Sequence, residues 1–152
     1  VIDFRRMTAD DFESVARFAE QGLQPERYPV IYSRPKLRGA IEHFMNSPTD
    51  YHRIAVDGGE LVGVIAAAMA EMAYFQRCEA HIFALYATRY GVGRQLLSGL
   101  LTWMDDHFMV QRVSWVHNPG MRPSVQRLAR MCGRGRATDE LQMTVFYKEV
   151  AA

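Results

Sequence analysis

Glu79-Ala80-His81-Ile82-Phe83-Ala84-Leu85-Tyr86-Ala87 runs through Thr88-Arg89-Tyr90 into Gly91-Val92-Gly93-Arg94-Gln95-Leu96-Leu97, and this passage decides how the chain is read. The first part, rich in apolar and aromatic side chains, reads as a strand. Leu97, Leu100, Leu101, Met104 and Phe108 then recur at helical spacing, so a helix opens directly on Gly-x-Gly. Such a turn leaves the first amides of the helix unpaired, with the positive end of the helix dipole behind them. Glycine removes the Cβ that would keep a phosphate or another backbone away. The pattern is a cradle for a pyrophosphate, bracketed by Arg89 and Arg94. No Gly-Lys-Ser/Thr follows, which excludes a Walker loop, and the third glycine of a dinucleotide fingerprint is missing.

Working outward, Ile2 and Phe4 alternate with Asp3 and Arg5 as a short first strand. Thr8, with Asp11 three residues on, caps a helix that gathers Phe12, Val15, Ala16, Ala19 and Leu23 on one side and ends at Gly22. Gln24 to Ser33 reads as a loop. Ser33 caps a second helix, with Pro35 in its first turn and Leu37, Ile41, Phe44 and Met45 on one face, until Ser47-Pro48 stops it. Tyr51 to Val56 and Glu60 to Met69 flank Asp57-Gly58-Gly59 as a hairpin. Beyond the glycine-turn helix come a strand over Arg112–His117, a turn at Asn118-Pro119-Gly120, a short helix over Pro123–Cys132 ending at Gly133, and a final strand over Leu141–Val150. Strict alternation puts Glu79, His81, Phe83 and Leu85 on one face of their strand, and Ala80, Ile82, Ala84 and Tyr86 on the other. No repeat or linker interrupts the chain, so one domain over residues 1–152 is expected.

Composition narrows the function. The 152 residues, 49% hydrophobic and 23% charged, suit one globular core and exclude a disordered chain. Net charge is only +1, but residues 1–76 carry 8 Lys or Arg against 11 Asp or Glu, and residues 77–152 carry 10 against 6. The positive half contains the glycine turn, which is where an anionic ligand is expected. Cys78 and Cys132 stand apart from each other, outside any C-x-x-C pair, so no metal site is expected. Leu61 to Ala70 is too short to span a bilayer, and Val1 to Arg6 has no signal-peptide core, so the expectation is a cytoplasmic protein without a membrane partner. Arg122, Arg127, Arg130, Arg134 and Arg136 read first as a solvated face, then as contacts to phosphates or to an acidic substrate. Nucleic acid is not expected, because aromatics are not interleaved with them.

The order of strand, two helices, hairpin, strand, glycine-turn helix, strand, short helix and strand resembles the GNAT family of acyl-CoA-dependent N-acyltransferases over nearly the whole chain. Three stretches carry the resemblance: Ile54 to Ile65 as the central hairpin, Leu85 to Leu97 as the coenzyme-binding strand, loop and helix, and Val113 to Asn118 with the helix ending at Gly133 as the last third. The resemblance implies an α/β fold with a splayed mixed sheet flanked by helices. It also implies acetyl-CoA as acyl donor and transfer to a primary amine of a small molecule or protein. The pantetheine arm would lie along Leu85, Tyr86 and Ala87, the pyrophosphate on the amides of Arg89, Tyr90, Gly91, Val92, Gly93 and Arg94, and Asn118 would complete the coenzyme site. The sequence departs from the family pattern in several places, including Arg122 at a usual Asn and Arg134 at a usual Phe. Thr88 stands at the first position of the loop motif, and Ala129 stands where many members have the tyrosine that protonates the leaving thiolate. The alternative is therefore a non-catalytic member that binds CoA or a protein partner, and a homodimer is a further option.

Amine acylation needs a base to take the amine's proton and a donor for the thioester oxygen, and a backbone amide of the coenzyme strand can supply the latter. Glu79 and His81, two apart on that strand, are the candidate catalytic bases. Each has a structural alternative, as a solvated strand start and as a hydrogen-bonded core histidine. His117, Tyr86 and Tyr90 are second-rank candidates whose simpler roles are packing and strand ending.

Overall fold

The computed structural model describes residues 1–23, 33–71, 78–107, 111–116, 127, 136–140 and 143–147. Its strands are β1 (Ile2–Arg5), β2 (Tyr51–Asp57), β3 (Glu60–Glu71), β4 (Cys78–Ala87), β5 (Gln111–Val116), β6 (Arg136–Glu140) and β7 (Met143–Tyr147). Its helices are α1 (Phe12–Gly22), α2 (Arg34–Asn46) and α3 (Val92–His107). The strands form one sheet in the order β1-β2-β3-β4-β5-β7-β6. All neighbours are antiparallel except β4 and β5, which are parallel and joined through α3. A parallel pair needs such a crossover, because its strands start at the same end.

Each face of the sheet has its own core. On one, α3 lays Val92, Leu96, Leu97, Leu100, Leu101 and Met104 against Ala55, Val62, Ile65, Ala80 and Ile82. On the other, Val15, Ala16 and Phe18 of α1 and Ile41 and Phe44 of α2 cover Ile54, Val64 and Ala66. Of the apolar stripes expected for the three helices, Val15, Ala16, Ile41, Phe44, Leu97, Leu100, Leu101 and Met104 are buried and Phe12, Ala19, Leu23, Leu37 and Met45 partly buried; Phe18, Val92 and Leu96 join the buried set, and Phe108 lies outside the described residues. Gly58 and Gly59 adopt positive φ, +58° and +86°, the backbone that a two-residue hairpin turn requires.

Two expectations are corrected. A β-bulge interrupts β4: Ala66 pairs with Ala84 but Ala67 with Ile82, leaving Phe83 unopposed. The extra residue reverses the alternation, so Ala80 and Ile82 before it and Leu85 and Ala87 after it all point toward α3. Leu85 therefore does not share a face with Glu79 and His81. At the other end of the chain, Met143–Tyr147 of the strand expected over Leu141–Val150 is a strand, the rest of that stretch lying outside the described residues, and Arg136–Glu140 forms an unexpected edge strand beside it. The turn over Asn118-Pro119-Gly120 lies outside the described residues. So does the short helix expected over Pro123–Cys132, apart from Arg127, which is helical and exposed.

Candidate active site

Parallel pairing between β4 and β5 runs from Cys78↔Gln111 to Ile82↔Trp115 and goes no further among the described residues. From Ala84 to Ala87, β4 is paired with β3 only, among the described residues. The bulge at Phe83 stands where the strands part, and bulges re-aim side chains and end pairing in this way. Beyond that point the edge of β4 facing away from β3 has no strand partner among the described residues.

Glu79 and His81 sit just before the parting, on the face covered by α1 and α2. His81 is opposite Ser114 in the parallel register. The Ser114 Oγ lies 2.7 Å from His81 Nδ1 and donates to Glu79 Oε1 at 3.2 Å. Ser114 is 1% exposed, so water does not compete for its hydroxyl. Phe83 closes over the other side of the imidazole, with ring centroids 4.8 Å apart and nearly perpendicular planes, and in turn meets Phe44 of α2 at 5.7 Å. Phe83 remains 64% exposed, and the imidazole's Nε2 has no partner among the described residues.

Ser114 was not visible as a candidate in the sequence. The signal was a small polar residue inside the apolar run from Val113 to Val116, but only the register shows which residues it serves.

At the far end of β4, the Thr88 amide donates to the Val62 carbonyl at 3.0 Å, tying the strand end to β3. Gly91 adopts φ +83° and starts α3. Val92 donates to Arg89 O at 3.3 Å and Gln95 to Gly91 O at 3.1 Å, while the amides of Gly93 and Arg94 have no acceptor among the described residues. These two amides at a helix N-terminus fit an anionic group, as does the open edge of β4 leading to them. The Val92 side chain belongs to the core, at 1% exposure, and only its backbone lies in the turn.

The other candidates separate. Arg89 is paired with Asp57 at the hairpin turn, while Arg94 and Tyr90 are exposed. The ring of Tyr86 lies 4.9 Å from that of Phe18 and packs against Gly22, where an added Cβ would approach it to 3.0 Å. Asn118, His117, Ala129 and the arginines at 122, 130 and 134 lie outside the described residues. A hollow of about 440 Å³ lined by Phe4, Tyr51, Arg53, Leu96, Trp103 and Asp106 opens on the α3 face, away from Glu79 and His81. Among the described residues no cluster of three or more His, Cys, Asp or Glu could hold a metal, and no helix is long and apolar enough to cross a membrane.

No family model and no curated protein matches the sequence. Solved structures do match the fold. PaiA N-acetyltransferase from Thermoplasma acidophilum, in complex with coenzyme A, aligns over 98% of this chain and 99% of its own, at 18% identity and TM-score 0.66. The acetyltransferase of the GNAT family from Streptococcus pneumoniae aligns over 97% of both chains at 12% identity and TM-score 0.62. The chain has the GNAT fold. An aminoglycoside acetyltransferase from an uncultured soil metagenomic sample, in complex with sisomicin, shares it over 92% of both chains at 16% identity and TM-score 0.68. Within the GNAT fold, the glycine turn is the feature that the sequence stretch Gly91-Val92-Gly93 had pointed to.

Proposed function

We propose that this GNAT-fold chain is an N-acetyltransferase that uses acetyl-CoA and acylates a primary amine by direct attack. One observation carries the reading: the parting of β4 from β5 begins beside the Glu79–Ser114–His81 chain and leads to the Gly93 and Arg94 amides, which have no acceptor among the described residues. A proton acceptor and an anion cradle thus lie at the two ends of one open strand edge. The coenzyme A held by the Thermoplasma neighbour supports the same donor here.

In this reading the coenzyme supplies a thioester carbonyl. The open edge of β4 from Phe83 to Ala87 orients the arm, and a backbone amide there stabilises charge on the carbonyl oxygen. Gly91, Gly93 and Arg94 hold the phosphates. The Glu79–His81 pair takes the proton of the attacking amine. A thiolate leaves with little help, because its own pKa is far below that of an alkoxide.

Calorimetric titration of acetyl-CoA and CoA, followed by release of free thiol across a panel of amines, tests the proposal. Binding with amine-dependent thiol release is expected. In E79Q, kcat falls more than coenzyme affinity; an unchanged rate removes Glu79 from the mechanism. Absence of binding by either ligand sinks the coenzyme reading, and binding without turnover on any amine favours the non-catalytic alternative.

A further inference from the structure

Glu79 and His81 were equivalent as bases in the sequence, but Ser114 makes them unequal. A serine hydroxyl has one proton to give and lone pairs to accept with. A carboxylate only accepts, so the 3.2 Å contact with Glu79 Oε1 takes the Ser114 proton. The 2.7 Å contact with His81 must then run the other way, from Nδ1–H to Ser114 Oγ. At 1% exposure the Ser114 hydroxyl itself has no water to turn to, so its proton and its lone pair are shared between these two side chains. We infer that Ser114 is a positioning residue: by giving its proton to Glu79 it holds His81 in the Nδ1–H tautomer, which leaves the Nε2 lone pair as the group that accepts the amine's proton.

The catalytic half of this inference rests on the acetyltransferase reading; the tautomer does not. In that step the proton moves from the amine nitrogen to Nε2 as the new C–N bond forms, and the imidazole becomes a cation. Glu79 stabilises that cation across the hydroxyl, the part a carboxylate plays when it bonds an imidazole directly. Phe83, stacked edge-on against the ring, limits its rotation. Glu79 is then an orienting charge and not the base itself.

Imidazole nitrogen NMR on the purified, 15N-histidine-labelled protein decides the tautomer without any substrate. The His81 signals are assigned by their loss in H81Q, among 5 histidines in all. The neutral ring is expected to show a protonated Nδ1 and an unprotonated Nε2. Replacing Ser114 with alanine removes the preference, whereas E79Q keeps it, because the glutamine carbonyl still accepts from the serine. A wild-type ring protonated at Nε2 overturns the inference.

Kinetics test the catalytic half. S114A is expected to lower kcat about 10- to 100-fold, typical for loss of an orienting partner, with the KM for acetyl-CoA unchanged. S114T, which keeps the hydroxyl, recovers most of the rate, and thermal melts show whether either variant is merely unstable. A full rate in folded S114A overturns the catalytic role. If wild type binds no CoA at all, the acetyltransferase reading fails while the NMR result stands.

Discussion

At the residue scale, the two arginines bracketing the glycine turn look alike in sequence and differ in the fold. Arg89 is drawn to Asp57, on the hairpin that the folded sheet brings alongside, whereas Arg94 projects from the first turn of α3 and has no ion pair among the described residues. A guanidinium already neutralised has less to offer a phosphate. R94A is therefore expected to weaken CoA binding a few-fold, about 1 kcal/mol at this exposure, and R89A to weaken it less. Calorimetry on the two variants checks this, and the opposite ranking would show that Arg89 leaves Asp57 when ligand binds. The difference was not legible in the sequence, because Asp57 and Arg89 are distant in the chain. Glu79 and His81, by contrast, were legible: two residues apart on one strand, they had to share a face.

At the scale of elements, Gly63 shows how closely α3 is laid on the sheet. A Cβ added there would come within 2.5 Å of Val92 Cγ1 and 2.9 Å of Leu96 Cδ1. Both neighbours are buried, at 1% exposure each, so neither moves aside freely. Gly63→Ala is expected to cost about 1–3 kcal/mol in urea unfolding, as overpacking does. Because Val92 opens α3, the same substitution also weakens CoA binding; unaltered stability would mean that α3 sits less tightly than the structure shows. Helix faces, hairpin and glycine turn could be read from periodicity and turn chemistry. The bulge at Phe83 could not, because Ala84 and Leu85 are both apolar and either can face a core. Arg136–Glu140 escaped for the opposite reason: a polar, charged run suits an edge strand but reads as loop.

At the scale of the whole molecule, His52 couples folding to pH. It is 1% exposed on β2, where its Nδ1 faces the Met7 amide at 3.3 Å and its Nε2 lies 3.0 Å from Arg6. Burial, reinforced by the positive charges of Arg6 and Arg53 and partly offset by Asp50, pushes its pKa down to about 4. The unfolded chain takes up the same proton near pH 6.5, roughly the ordinary value for histidine. The stabilisation is thus complete above about pH 6.5 and is lost as pH falls toward 4. Thermal melts across this window should show Tm of the wild type declining and that of H52Q declining less; parallel curves would assign the acid loss elsewhere. Asp11, held well below the ordinary carboxylate range chiefly by its hydrogen bonds to Arg5, contributes below that window, at still lower pH. The sequence by itself determined most of the elements and of their buried faces, the glycine turn and the strand that carries Glu79 and His81. Each of these depends on local periodicity and backbone freedom. Only the tertiary structure decided that β4 and β5 part at Phe83, that Asp57 claims Arg89, and that Ser114 stands between Glu79 and His81. Those facts are set by strand register, which pairs residues far apart in the chain and leaves no mark on either stretch alone.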